Sequence, residues 1–206
     1  MNETTDPNSH ILLLGIIAFY WALLSTWGQT QPRQCNDKAK RDDAPTGQRN
    51  DSDERRASAD TLLDGIRKID PDFDVAAFLA GAKTAYETIL RAYADSDIQA
   101  LKRLVGPEVL DAFELAISER RDRKETLLLT FIGTSEAKIV DTLDEDGTTE
   151  IVVRYVSELV SVTRSVNNEI LAGDPEQIVE VIDKWTFASE TQSTKRNWML
   201  IATSGE

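Results

Sequence analysis

From Ile11 to Trp27 the chain reads ILLLGIIAFYWALLSTW, seventeen positions without a charge, and this run constrains everything that follows it. At about 1.5 Å per residue it is close to the lower limit for crossing a hydrocarbon core of roughly 30 Å. Nine of its members (Ile11, Leu12, Leu13, Leu14, Ile16, Ile17, Phe19, Leu23 and Leu24) together favour insertion by about 3 to 5 kcal/mol before polar costs. Tyr20, Trp21 and Trp27 gather in the C-terminal half, where amphipathic rings suit a membrane interface. The competing reading, a cleaved secretory signal, needs a basic leader and a small-x-small cleavage site, and Asn2 to His10 carries Glu3 and Asp6 with no Lys or Arg. Arg33, Lys38, Lys40 and Arg41 follow the run, so the positive-inside bias predicts that everything after this single-pass anchor is cytoplasmic, and, with no Arg-rich, Ser-rich transit peptide before the run, a bacterial inner membrane is expected.

The expected organisation is therefore a polar tail (1–10), an anchor (11–27), a disordered charged linker (28–58) and one folded domain (59–206). Residues 33 to 58 hold almost no large apolar side chain and both signs of charge, so no core forms there. Such a tether spans on the order of 28 Å root-mean-square. After Arg56 there are 16 basic and 28 acidic residues, so most of the net charge of -13 falls on the domain. That sign disfavours nucleic acid and holds the domain off anionic lipid.

Residue types narrow the chemistry further. With only Cys35 and His10, both before the domain, a disulfide framework, a Cys/His zinc site, a Cys-His pair and a Ser-His-Asp triad are excluded from it. No metal and no cofactor is expected. Cys35 follows Pro32, Arg33 and Gln34 and reads as an incidental free thiol.

Within the domain, a short helix is read at Ala59 to Ile69. Asp74 then reads as an N-cap, with Phe73 and Phe78 at the spacing of a hydrophobic staple. Val75 to Ala94 places Phe78, Leu79, Ala82, Tyr86, Ile89, Leu90 and Tyr93 on one helical stripe. Asp97 caps a second helix carrying Ile98, Leu101, Leu104 and Val105 and ending at Gly106. Pro107 opens a third, burying Val109, Leu110, Phe113 and Ile117. Beyond Glu125 the period becomes alternating: a strand at TLLLTFI, another at Ala137 to Leu143, an Asp-Gly turn, a long central strand at Ile151 to Thr163, and a closing hairpin of Ile178 to Phe187 with Trp198 to Thr203. Apolar residues on both sides of Ile151 to Thr163 call for cover on both sheet faces. Helices followed by consecutive antiparallel strands predict an α+β domain with helices on one face of a curved sheet.

The run FDVAAFLAGAKTAYETILRAYADSDIQALKRLVGPEVLDAFELAISER (Phe73 to Arg120), with DKWTF (Asp183 to Phe187) and NWML (Asn197 to Leu200), resembles the Tim44-like domain, most closely the membrane-anchored Tim44 relatives of alphaproteobacteria. The resemblance implies an NTF2-like, cystatin-like cone with a hydrophobic pocket. It also implies a non-enzymatic adaptor or scaffold at an inner membrane, linked to protein translocation or membrane-protein quality control. Tim44 has a long basic N-terminal region that engages its chaperone partner; this chain has a short apolar run and a nearly neutral tether in its place.

Two groups of residues are candidates for contact. Tyr86, Tyr93, Tyr155, Trp185 and Trp198 are either ordinary core or the walls of a pocket for a peptide, a lipid tail or another protein. Arg120, Arg121, Arg123 and Lys124 are either a solvated helix end or a contact for anionic lipid or an acidic partner. Two other function classes remain open at this stage. One is an enzyme of the NTF2-like kind, pairing Asp141, Glu158, Glu180 or Asp183 with Tyr86, Tyr93 or Tyr155 for proton transfer on a small hydrophobic substrate. The other is a secretion-machine subunit resembling VirB8-type proteins, which would put the domain in the periplasm.

Overall fold

The computed structural model describes residues 71–145, 147–190 and 197–205. The apolar run with Tyr20, Trp21 and Trp27, the linker and the expected helix at 59–69 lie outside them. Among the described residues no helix is long and apolar enough to cross a membrane.

Helix α1 (Val75–Asp95) begins where the side chain of Asp74 accepts hydrogen bonds from the backbone N–H of Ala76 and Ala77 at 2.9 and 3.0 Å. The rings of Phe73 and Phe78 meet at 5.5 Å, so the staple forms. Ser96, in the left-handed region at φ 60°, ends the helix. Asp97 then caps a single turn, α2 (Ile98–Leu101), by accepting from Ala100 N. The expectation of a longer second helix ending at Gly106 is corrected. The chain leaves the helix after Leu101 because Leu104 O and Gly106 N are taken up by the backbone of Leu200. Gly106 instead caps α3 (Pro107–Asp122), with Pro107 in its first turn.

The sheet is antiparallel throughout. Its strands are β1 (Thr126–Glu145), β2 (Thr148–Arg164), β3 (Ile170–Gly173), β4 (Val179–Glu190) and β5 (Met199–Gly205), in the order β1-β2-β4-β5, with β3 added to the end of β2. The two strands expected at TLLLTFI and Ala137 to Leu143 are one. Register shifts at Phe131/Gly133, Thr134/Glu136 and Ile139/Asp141 carry the pairing with β2 through the polar middle as bulges. The strands on either side of the expected turn pair up to Glu145 and Thr148, with Gly147 at φ 78°. β3 was not expected from sequence. It lies so close to β2 that a Cβ on Gly173, itself at φ 82°, would sit 1.9 Å from Ser161 O.

One face of the sheet meets the helices. Ile151, Val153, Tyr155, Ser157 and Leu159 of β2 and Asp183, Trp185 and Phe187 of β4 point inward and are buried with Phe78, Tyr86 and Ile89 of α1 and Val109, Phe113 and Ile117 of α3. On the outer face only Val162 is buried; Val152, Val156 and Val160 stay half-covered. Among the described residues the helices join the one inner core, so the cover expected on both faces is present on one.

Candidate functional site

The register of β2 and β4 decides which polar groups enter the core. Tyr155 is the cross-strand partner of Asp183, and Val153 that of Trp185, so Tyr155, Asp183 and Trp185 share the inner face. Above them, eight residues past Phe78, α1 delivers Tyr86. Its ring stacks on Tyr155 with centroids 4.3 Å apart and tilts against Trp185 at 4.5 Å. The Tyr86 hydroxyl donates to Asp183 Oδ2 at 2.5 Å and shares a hydrogen bond with Ser157 Oγ at 2.9 Å. All of these groups are sealed: Tyr86, Tyr155 and Ser157 are 0% exposed, and Asp183 and Trp185 are 1%.

Burial, which disfavours charge, raises the Asp183 carboxyl from 3.8 to about 6 even though the Tyr86 hydrogen bond pulls it down. The Tyr86 hydroxyl is pushed well above its ordinary value, first by burial and then by the Asp183 charge and hydrogen bond. Tyr155 is raised for the same two reasons, burial and the charge of Asp183. Near neutral pH the proton therefore moves on Asp183 while both phenols keep theirs. Asp183 Oδ1, Tyr155 OH, Trp185 Nε1 and Thr203 Oγ1 are buried with no hydrogen-bond partner among the described residues. Of the four carboxylates considered for proton transfer, Asp141, Glu158 and Glu180 are exposed and only Asp183 faces inward.

The five aromatic candidates do not line one cavity. Tyr86, Tyr155 and Trp185 form the packed cluster just described. Tyr93 lies two turns further along α1, against the ring of Phe113 at 5.1 Å. Trp198 packs at the opposite end of α1, 4.9 Å from Phe78 and 6.1 Å from Phe73. Their common membership of an aromatic set hid the fact that a helix of this length carries them to three separate places.

Arg120 is corrected out of the group facing lipid. It is 5% exposed, and its Nη2 donates to Tyr93 O at 2.7 Å, Ala94 O at 3.2 Å and Ser96 Oγ at 2.9 Å, with the guanidinium 4.9 Å from the Tyr93 ring centroid. A cation placed on the last carbonyls of α1 satisfies acceptors that the helix leaves open and opposes its dipole. Arg121, Arg123 and Lys124 are exposed; Arg123 meets Glu125 at 3.0 Å and Glu119 at 3.9 Å.

An open groove lies elsewhere, between the last turns of α1 and the start of β1. Arg91, Ala94, Asp95, Leu129, Thr130 and Phe131 line a volume of about 270 Å³. Arg91 is exposed and pairs with Glu87 one turn back at 2.6 Å. None of these groove residues was singled out from sequence; the signal available was the uncharged TLLLTFI run.

Fold and site together define a small α+β module whose sheet is covered by helices on one face, with Tyr86, Tyr155, Trp185 and Asp183 packed together on that face among the described residues. Residues 59–205 match the Tim44-like domain family, and the chain belongs to that family. No curated protein matches it. Among solved structures, the chain is similar to the intermembrane space region of the chloroplast protein ARC6, at 12% identity and TM-score 0.47 over 62% of this chain and 95% of that one. It is also similar to an NTF2-like protein from Cytophaga hutchinsonii, at 14% identity and TM-score 0.33 over 65% and 98%. A conserved protein from Planctomyces limnophilus matches at 14% identity and TM-score 0.34, over 64% and 99%.

Proposed function

We propose that this chain is a non-enzymatic adaptor, held by Ile11 to Trp27 at a bacterial inner membrane with its Tim44-like domain on the cytoplasmic side, where it binds a protein, peptide or lipid partner. Membership of the Tim44-like family supports an adaptor role. The observation that carries the choice against catalysis is the packed inner face: Tyr86, Tyr155, Trp185 and Asp183 occupy, at ring separations near van der Waals contact, the place where a substrate would have to meet the inward acid. The anchor rests on the uncharged run, and its orientation on the basic residues that follow it.

One specific observation favours the enzymatic reading: Asp183 and Tyr86 form an inward acid and phenol pair with the carboxyl raised toward neutrality. A proton-transfer enzyme would have to open this cluster to admit substrate.

Crosslinking in intact membranes followed by mass spectrometry of the partners tests the adaptor reading. Repeated recovery of a common protein partner is expected, and recovery of the bait alone would overturn it. A reporter fused to the C-terminus checks the orientation, since a periplasmic signal would favour the arrangement of VirB8-type proteins.

A further inference from the structure

Strand β1 is two strands in character. Its second half is guarded as an exposed edge should be, with Glu136, Lys138 and Asp141 and two of its three bulges. Its first half, TLLLTFI from Thr126 to Ile132, carries no charge, no Pro and no Gly. It is apolar on both faces: Leu127, Leu129 and Phe131 turn toward α1, while Leu128 and Ile132 are 50% and 47% exposed on the outer side. Such a pattern belongs to a strand with neighbours on both sides. Among the described residues β1 pairs with β2 alone and ends the sheet, so a row of its backbone N–H and C=O groups faces outward.

Helix α1 packs against the inner face of β1 but does not close its edge. It runs diagonally, from Phe78 against Phe187 and Trp198 to Arg91, Ala94 and Asp95 beside Leu129 to Phe131, and leaves the groove there open. Leu129 and Phe131 are only half-buried, whereas Leu159, the partner of Phe131 on β2, is sealed. The rim residues Arg91 and Asp95 carry opposite charges one helical turn apart.

From this we infer that the first half of β1 is a homodimer interface, in which a second copy of the chain adds its own β1 antiparallel, related by a two-fold axis normal to the sheet at Thr130, so that Thr130 faces its own counterpart and Leu129 faces Phe131 of the other copy. Two-fold symmetry makes the contact self-complementary. It continues the sheet across the seam and puts both α1 helices on the same side, antiparallel, so that Arg91 of each copy meets Asp95 of the other. The groove is then filled by the second copy's Leu129 and Phe131. The charged half of β1 lies beyond the seam and limits the contact to these residues.

The test uses the full chain in mild detergent, with Cys35→Ser where cysteines are introduced. Light scattering should give a protein mass twice the 23.0 kDa of one chain. Thr130→Cys, on an exposed position, should crosslink to itself under mild oxidation, and Lys138→Cys on the guarded half should not. Thr130→Lys, which places an edge charge without touching the core, should give a folded monomer that unfolds in one cooperative transition, with a melting temperature that no longer depends on protein concentration. Arg91→Asp should weaken the dimer by about tenfold or more, and Arg91→Asp combined with Asp95→Arg should restore it. A wild-type monomer at every concentration, a Thr130→Lys dimer, or failure of Thr130→Cys to crosslink would each overturn the inference. A monomer whose edge amides at 127–131 resist hydrogen exchange would overturn it in favour of cover by the chain's own residues. None of these outcomes touches the adaptor reading, which stands or falls on partner capture.

Discussion

The same helix covers two parts of one sheet with opposite results. Over β2 and β4, α1 sets Tyr86 onto Tyr155, Trp185 and Asp183 and seals polar atoms inside without partners. Over β1, only two turns later, it leaves Leu129 and Phe131 half-covered beside an open groove. The difference lies in what each strand has beside it: α1 packs closely against β1 as well, but β2 and β4 have a paired strand on each side, whereas among the described residues β1 has β2 alone. The lesson is that the chemically suggestive residues are in the closed part, while the open groove is lined by residues of no special chemistry. A raised pKa therefore does not mark an accessible surface in this protein: Asp183 is sealed, and the open groove at β1 is lined by other residues.

That contrast can be broken by substitution. Trp185→Ala should cost about 3 to 5 kcal/mol of stability in urea unfolding, as for a large side chain removed from a packed core; a loss below 1 kcal/mol would mean that the closed cluster is a cavity after all. The pH dependence comes next. Folded Asp183 holds its proton up to about pH 6, against 3.8 for an unperturbed group, so protonation favours the folded state. Its contribution is complete below about pH 4 and is lost as pH rises through 6, by about 3 kcal/mol at most. The difference in unfolding free energy between the wild type and Asp183→Asn, followed from pH 4 to 8, should show that slope and flatten above it.

Arg120→Ala, outside both regions but tied to the end of α1 that forms the groove, should cost about 2 to 3 kcal/mol by removing the donor of the Ala94 carbonyl and leaving the Tyr93 carbonyl only the longer bond from Ser96 N. Retention of full stability would return Arg120 to the exposed basic group. The smallest effect is expected at the groove itself, where Leu129→Ala should cost about 1 kcal/mol in the monomer. A loss equal to that of Trp185→Ala would erase the distinction between the closed and open parts.

Much of this was legible in the sequence because the signals are local. Asp74 with the Phe73 and Phe78 staple, Asp97 and Pro107 act through bonds to residues within a few positions, and each forms where expected. The alternation in Ile151 to Leu159 likewise announced an inward face, and Ser157 stands on it by parity alone. What failed needed knowledge of distant partners. The middle of β1 looks like a break until β2 supplies the ladder that bulges can rejoin, and β3 is too short to be read without the backbone of β2 beside it.

The candidate contacts divide in the same way. Composition located the basic run RRDRK, but only the approach of α3 to the end of α1 turns Arg120 inward. The aromatic residues were all visible, yet nothing local separates Tyr86, which meets Tyr155 and Trp185, from Tyr93, which meets Phe113.

By itself the sequence determined the starts of the three described helices, most of the strands, the residue types that exclude Cys and His chemistry from the domain, and the family resemblance. Periodicity, capping and composition are properties of neighbours along the chain, and no fold is required to read them. Only the tertiary structure decided that Asp183 is sealed and Asp141, Glu158 and Glu180 are not, and that TLLLTFI ends the sheet with one side open. Burial and strand neighbours are set by which distant segments meet, and the chain's local preferences are the same whether a strand lies in the middle of a sheet or at its margin.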